Sequence, residues 1–136
     1  MKRIAVWSGA ALAAAMVLTI AACGGSDSSP TTPTNPGGTG GTIAATITIG
    51  TDGRVSPASV TVPLGSRVNF TNNHNRVHDM NSDPHPEHTQ CPELNVGSLT
   101  VGQTKATQNL TTARRCGFHD HLDSGNASLQ GSITIQ

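Results

Sequence analysis

Hydrophobic and polar residues alternate along several short stretches of the chain. The clearest is 42–49, where isoleucine and alanine lie on one face and threonine or alanine on the other. Alternation of period two with β-branched residues predicts a half-buried strand. The same pattern predicts strands over 59–62, 67–71, 98–101, 104–110 and 127–136. No segment shows a useful helical period, so these short strands predict an all-β sandwich or barrel.

The alternation breaks down over 77–96. Prolines at positions 84, 86 and 92 exclude a regular helix or a central strand there. A loop of this length in a compact domain is usually functional or disordered. Four residues of types that bind metals favour a functional loop over a disordered one: His78, His85, His88 and Cys91. For His85 and His88 a second metal site and a merely solvated loop both stay open, and the solvated loop is the preferred interpretation.

The N-terminal part of the chain predicts export rather than fold. Basic residues at 1–3 and an uncharged apolar run at 4–22 are typical of a signal peptide over 1–22. The end of this run, Ile20-Ala21-Ala22-Cys23-Gly24, resembles the lipobox of bacterial lipoproteins, in which the cysteine is lipidated. We therefore expect Cys23 to anchor the chain to a membrane of the cell envelope, with the folded part in the periplasm or outside the cell.

The next segment, 23–41, is rich in Ser, Thr, Pro and Gly and predicts a disordered tether. What remains, 42–136, has the size of one small domain. Without Lys2 and Arg3, six basic residues stand against eight acidic ones, so nucleic acid is not an expected partner. An exported chain reaches an oxidising compartment, where Cys91 and Cys116 can form a disulfide.

All six histidines lie between His74 and His121. The densest stretch is Cys116-Gly117-Phe118-His119-Asp120-His121-Leu122, which offers one thiol and two imidazoles. Copper and zinc prefer such ligands. On a strand, His119 and His121 would share a face and could bind one metal. The alternative, with one ligand and one solvent-facing imidazole, stays open.

Two stretches together resemble a small cupredoxin of the plastocyanin and amicyanin kind. The first is Val55-Ser56-Pro57 with the segment 60–72, and the second is Cys116-Gly117-Phe118-His119 followed by 129–135. The resemblance covers 42–136. It implies a Greek-key β-sandwich with a copper centre that transfers single electrons to a partner protein. It also implies a non-enzymatic, monomeric protein.

The resemblance implies copper ligands at His78, Cys116 and His119. The family's axial methionine falls on Leu122 or on Leu129, depending on the alignment, and leucine cannot ligate. His121 could then supply a fourth ligand. The aromatic residue often found two positions before the cysteine is replaced here by Arg114.

Cys116 leaves three functions open. If it binds copper, the chain is an electron-transfer protein with the ligands His78, Cys116, His119 and the nearby His121. If it pairs with Cys91, an all-nitrogen site of His78, His119 and His121 remains, for copper or zinc, and the chain is a copper carrier or buffer. A metal-free interaction module is the third alternative.

Overall fold

The computed structural model describes residues 40–136. The predicted signal peptide over 1–22, Cys23 and nearly all of the tether over 23–41 lie outside the described residues and stay predictions. Within 40–136, no helix has the length and apolar character needed to cross a membrane.

Nine strands run through the described part of the chain. They are β1 (Ile43–Ile49), β2 (Val55–Ser56), β3 (Ser59–Val62), β4 (Arg67–Asn72), β5 (His78–Ser82), β6 (Gly97–Leu99), β7 (Thr104–Ala106), β8 (Arg114–Asp120) and β9 (Gly131–Ile135). Three short 3₁₀ turns, Pro92–Leu94, His121–Asp123 and Ala127–Leu129, complete the regular structure of this region.

The strands form two mixed sheets that pack as a sandwich. One has the order β2-β1-β4-β7 and the other the order β3-β9-β8-β5-β6. The pairs β1–β4 and β3–β9 are parallel, so the chain crosses between the sheets instead of running up and down within each one. The predicted all-β sandwich is confirmed.

The core between the sheets is mainly aliphatic, with one aromatic pair. Phe70 of β4 and Phe118 of β8 meet edge to face, with ring centroids 5.2 Å apart. Around them lie fully buried aliphatic side chains such as Ile47, Val68 and Ile133. Burial of each such side chain stabilises the fold by about 1.5–3 kcal/mol. The alternation along the strands gives each sheet one apolar face, and these two faces pack against each other.

Three predicted elements differ from the observed ones. The last strand begins at Gly131, because Asn126 caps a 3₁₀ turn by accepting a hydrogen bond from the Ser128 amide. The strand predicted over 104–110 ends at Ala106, where the hydroxyl of Thr107 accepts a hydrogen bond from the Val68 amide. The irregular segment 77–96 begins with strand β5, because its prolines come only after Ser82.

Candidate metal centre

Strand β8 carries the thiol and imidazole motif, and its pleat separates the members of the motif. Side chains alternate between the two faces of a strand. Phe118 points into the core, and Cys116 and Asp120 share its face by this alternation. His119 points to the opposite face. Residues three apart on a strand cannot converge, so Cys116 and His119 do not meet at one metal.

Cys116 forms a disulfide with Cys91, and both residues are fully buried. Their Cα atoms lie 6.0 Å apart. The disulfide fastens the long loop 83–96 to the sheet beside β8. Cys116 therefore offers no thiolate in this structure, which differs from the ligand set that the resemblance implied.

His78 also lies away from His119. It occupies the same face of β5 as Met80, and Met80 is paired with Asp120 across the ladder. The Nδ1 atom of His78 lies 2.7 Å from Oδ2 of Asp120. The expected set of His78, Cys116 and His119 is thus divided between two faces of one sheet.

Four imidazoles, that of His119 included, converge on the His119 face. They belong to His85, His88, His119 and His121, and their candidate ligand atoms all lie within 4.8 Å of one another. We call this group the four-histidine cluster. Nδ1 of His121 and Nε2 of His88 lie 3.1 Å apart. Two of its members come from β8 and the turn after it, and two from the loop.

His119 has one free coordinating nitrogen. Its Nδ1 atom is 2.7 Å from Oδ1 of Asp83. A neutral ring that donates to this carboxylate through Nδ1 has its free lone pair on Nε2. That Nε2 atom is buried and has no hydrogen-bond partner. A buried polar atom without a partner costs about 1–3 kcal/mol. A metal ion bound to this nitrogen would remove that cost.

Backbone hydrogen bonds hold the loop against β8. The Asp83 amide donates to the Gly117 carbonyl at 3.1 Å, and the Gln90 amide donates to the Asp83 carbonyl at 2.8 Å. The side-chain oxygen of Gln90 accepts from the Gly117 amide at 2.9 Å. In effect the loop continues the sheet where β5 has ended, so Asp83 lies directly beside the strand that carries His119.

Gly117 is required for this close approach. A Cβ atom at position 117 would overlap the carboxylate of Asp83. The glycine inside the motif therefore makes room for the group that orients His119.

His88 is held in an unfavourable backbone conformation. Its φ angle is 55°, in the left-handed region, which costs a non-glycine residue about 1–2 kcal/mol. Its carbonyl accepts hydrogen bonds from the Ser82 hydroxyl and the Asn95 amide group. Desolvation, followed by the charges of His119, His121 and His85, lowers the pKa of His88 below 6.5. The neutral imidazole that results is the form that binds metals.

The donor set fits copper or zinc. Both metals accept imidazole nitrogen, and the buried unpartnered nitrogen of His119 is already directed at the group. Sequence reasoning placed His119 and His121 here but preferred a solvated loop for His85 and His88. The disulfide that the sequence left open is the signal that bears on these two residues, because it fixes the loop that carries His85 and His88 beside β8.

Comparison with known proteins identifies the fold. No protein-family model matches the chain, and no curated protein does. A purple cupredoxin from Nitrosopumilus maritimus is 19% identical, covers 68% of this chain and 99% of its own, and has a TM-score of 0.55. Oxidised plastocyanin from Dryopteris crassirhizoma is 20% identical, with coverages of 67% and 99% and a TM-score of 0.52.

A methionine mutant of amicyanin in the Cu(I) form is 14% identical, with coverages of 68% and 82% and a TM-score of 0.51. At these identities the likeness is one of fold, and the class that it defines is the cupredoxin β-sandwich. The described part of this chain is a cupredoxin-like domain, as its two stretches of resemblance predicted.

Proposed function

We propose that this chain binds copper through the four-histidine cluster and serves as a copper carrier or buffer. The observation that carries the proposal is the buried, unpartnered Nε2 atom of His119 within a group of four converging imidazoles. Copper in such a site would be held by nitrogen alone and could exist as Cu(I) or Cu(II). The role is one of binding, without catalysis.

Exposure of the ligands supports a carrier or buffer. His85 is exposed, and His88 and His121 are half-buried, whereas His119 is 2% exposed. The cluster thus has a closed side built on β8 and an open side formed by the loop. An ion could be delivered or removed through the open side while His119 holds its place.

One-electron transfer to a redox partner protein is the second candidate function. It is supported by the rigid mounting of the ligands: His119 lies on a paired strand, and the disulfide restrains the loop that carries His85 and His88. Reversible reduction of the copper-loaded chain without loss of the ion would favour electron transfer. Release of the ion on reduction would favour carriage.

We also propose that Cys23 is lipidated, that the domain faces the periplasm or the outside of the cell, and that the chain acts as a monomer. The support is the lipobox-like sequence at 20–24. Cys23→Ser should abolish the incorporation of labelled fatty acid into the protein. A variant that still incorporates the label would contradict this anchor.

The copper proposal is tested by chelator competition on the full chain purified in mild detergent. His88→Asn removes one imidazole and keeps a residue that tolerates the left-handed conformation. We expect the tightest copper site to weaken by about 100-fold or more, since even the loss of a group that only supports a ligand costs 10–100-fold.

The matched control for this test is His74→Asn, which removes an imidazole outside the four-histidine cluster and should leave the tightest site unchanged. Equal affinities in the wild type and in His88→Asn would overturn the proposal. A parallel titration with Zn(II) decides the metal, because zinc accepts the same nitrogens. Copper should win a direct competition between the two.

A further inference from the structure

A second group of histidines lies on the other face of β8. We propose that His74 and His78 form a second, weaker site for a divalent metal such as Cu(II) or Zn(II), with Asp120 as the carboxylate that orients His78. This site shares no residue with the four-histidine cluster. The two sites can therefore be tested separately, by substitutions that change only one of them.

The two rings present their nitrogens to each other. Nδ1 of His74 lies 2.9 Å from Nε2 of His78, and the ring planes are 31° apart. Two nitrogens bound at about 2.0–2.1 Å to one metal lie roughly 3 Å from each other. The four-histidine cluster contains a similar pair, His121 and His88, at 3.1 Å. The spacing at His74 and His78 is that of a hydrogen bond between the rings, and it is also short enough for both nitrogens to bind one ion.

Asp120 fixes the ring of His78. Its Oδ2 atom lies 2.7 Å from Nδ1 of His78, and both side chains are 2% exposed. Its Oδ1 atom accepts hydrogen bonds from the amides of Asp79 and Leu122, at 2.8 and 3.1 Å. A carboxylate behind a metal-bound histidine is a common arrangement, because it fixes the tautomer and raises the basicity of the ligand.

Asp83 and His119 show the same arrangement on the opposite face, with the same distance of 2.7 Å. In both cases a carboxylate takes Nδ1 and leaves Nε2 to face another imidazole. The repetition of this pair, once on each face of the sheet, is the strongest reason to assign the same chemistry to both.

Hydrogen bonds made by the Asn72 side chain fix the position of His74. The buried side chain of Asn72 donates to the carbonyls of Arg76 and Leu99, at 2.7 and 2.9 Å, and its oxygen accepts from the His74 amide at 2.9 Å. These three hydrogen bonds shape the turn between β4 and β5. His74 is therefore presented to His78 by a buried polar residue and not by a freely moving loop.

An open cleft of about 420 Å³ adjoins His78, and its lining also includes Asp120, Arg76 and Asp123 but not His74. The cleft brings solvent up to His78, and water would have to fill the remaining coordination positions of an ion held by the two imidazoles. With fewer protein ligands than the four-histidine cluster, this site should bind more weakly and exchange its ion faster.

The test is a Cu(II) titration of the full chain in mild detergent, followed by electron paramagnetic resonance. The wild type should bind two equivalents, the second at least 10-fold more weakly than the first. His74→Asn should bind one, with the spectrum of the tight site unchanged. His121→Ala is the matched control: it should weaken the tight site and keep the weaker signal.

Two results would overturn the second site. One is a His74→Asn variant that binds as many equivalents as the wild type. The other is a wild type that binds a single equivalent which His74→Asn does not affect; His74 and His78 would then only share a hydrogen bond. A single equivalent that disappears in His74→Asn but not in His121→Ala would instead support this site and refute the four-histidine one.

Discussion

Single residues decide the orientation of the buried imidazole in the four-histidine cluster. His119 is aimed by Asp83 through one hydrogen bond of 2.7 Å, and Gly117 makes the room that Asp83 needs. Neither Asp83 nor Gly117 offers a free ligand atom to the cluster. Both act through His119, and their roles can be separated from those of the ligands themselves.

Replacing Asp83 should weaken copper binding without removing a ligand. Asp83→Ala leaves the His119 ring free to turn, and we expect the affinity of the tight site to fall by about 10–100-fold. Asp83→Asn keeps an oxygen that accepts the Nδ1 proton, so most of the affinity should return. Competition with a chelator measures both. Equal losses in the two variants would mean that the charge of Asp83 matters and its hydrogen bond does not.

A methyl group at position 117 should displace the Asp83 carboxylate. The Asp83 side chain is 48% exposed and can move aside, so Gly117→Ala should act on metal binding and weaken the tight site as Asp83→Ala does, by about 10–100-fold. The control is Gly125→Ala, because a Cβ at Gly125 meets nothing within 4 Å. Chelator competition on both variants is the measurement. If Gly117→Ala bound copper as tightly as Gly125→Ala, the close approach would not matter.

At the scale of elements, β8 separates the histidines into two groups. His119 faces the loop, whereas Asp120, the next residue, faces His78. The resemblance implies that Cys116 and His119, three residues apart, bind the same copper ion. The strand instead continues to Asp120, and its pleat places the two side chains on opposite faces.

The disulfide joins the loop 83–96 to β8 and closes a span of 25 residues. Cys91→Ala together with Cys116→Ala should lower the free energy of unfolding by about 3 kcal/mol, as loop closure predicts for a span of this order. Copper affinity should fall as well, because the loop that carries His85 and His88 gains freedom. Denaturant unfolding and chelator competition measure the two effects. Unchanged affinity would show that backbone hydrogen bonds suffice to hold the loop.

Much of the fold could be predicted from local pattern. The alternation over 42–49 and 67–71 became β1 and β4, and two distant stretches were enough to indicate the cupredoxin sandwich that the structure confirms. The site was harder to predict, because it depends on whether Cys116 pairs with Cys91 or binds metal, and on where β8 ends. Neither is local: the pairing joins residues 91 and 116, and the ladder to β5 fixes the face of each residue.

At the scale of the whole molecule, a cupredoxin-like sandwich carries its histidines in an arrangement without a cysteine ligand. The cysteine that would bind copper as a thiolate holds the loop in place, and the loop supplies the imidazoles. The disulfide thus holds the loop histidines of the four-histidine cluster beside β8. We propose that copper is bound in this cluster by nitrogen alone.

The most direct test of that claim is the visible spectrum of the full chain with one equivalent of Cu(II), together with a thiol titration of the same sample. The account predicts no free thiol at positions 91 and 116 and only weak d–d absorption in the visible spectrum. An intense thiolate-to-copper band, with Cys91 titrating as a free thiol, would contradict it and restore Cys116 as a ligand.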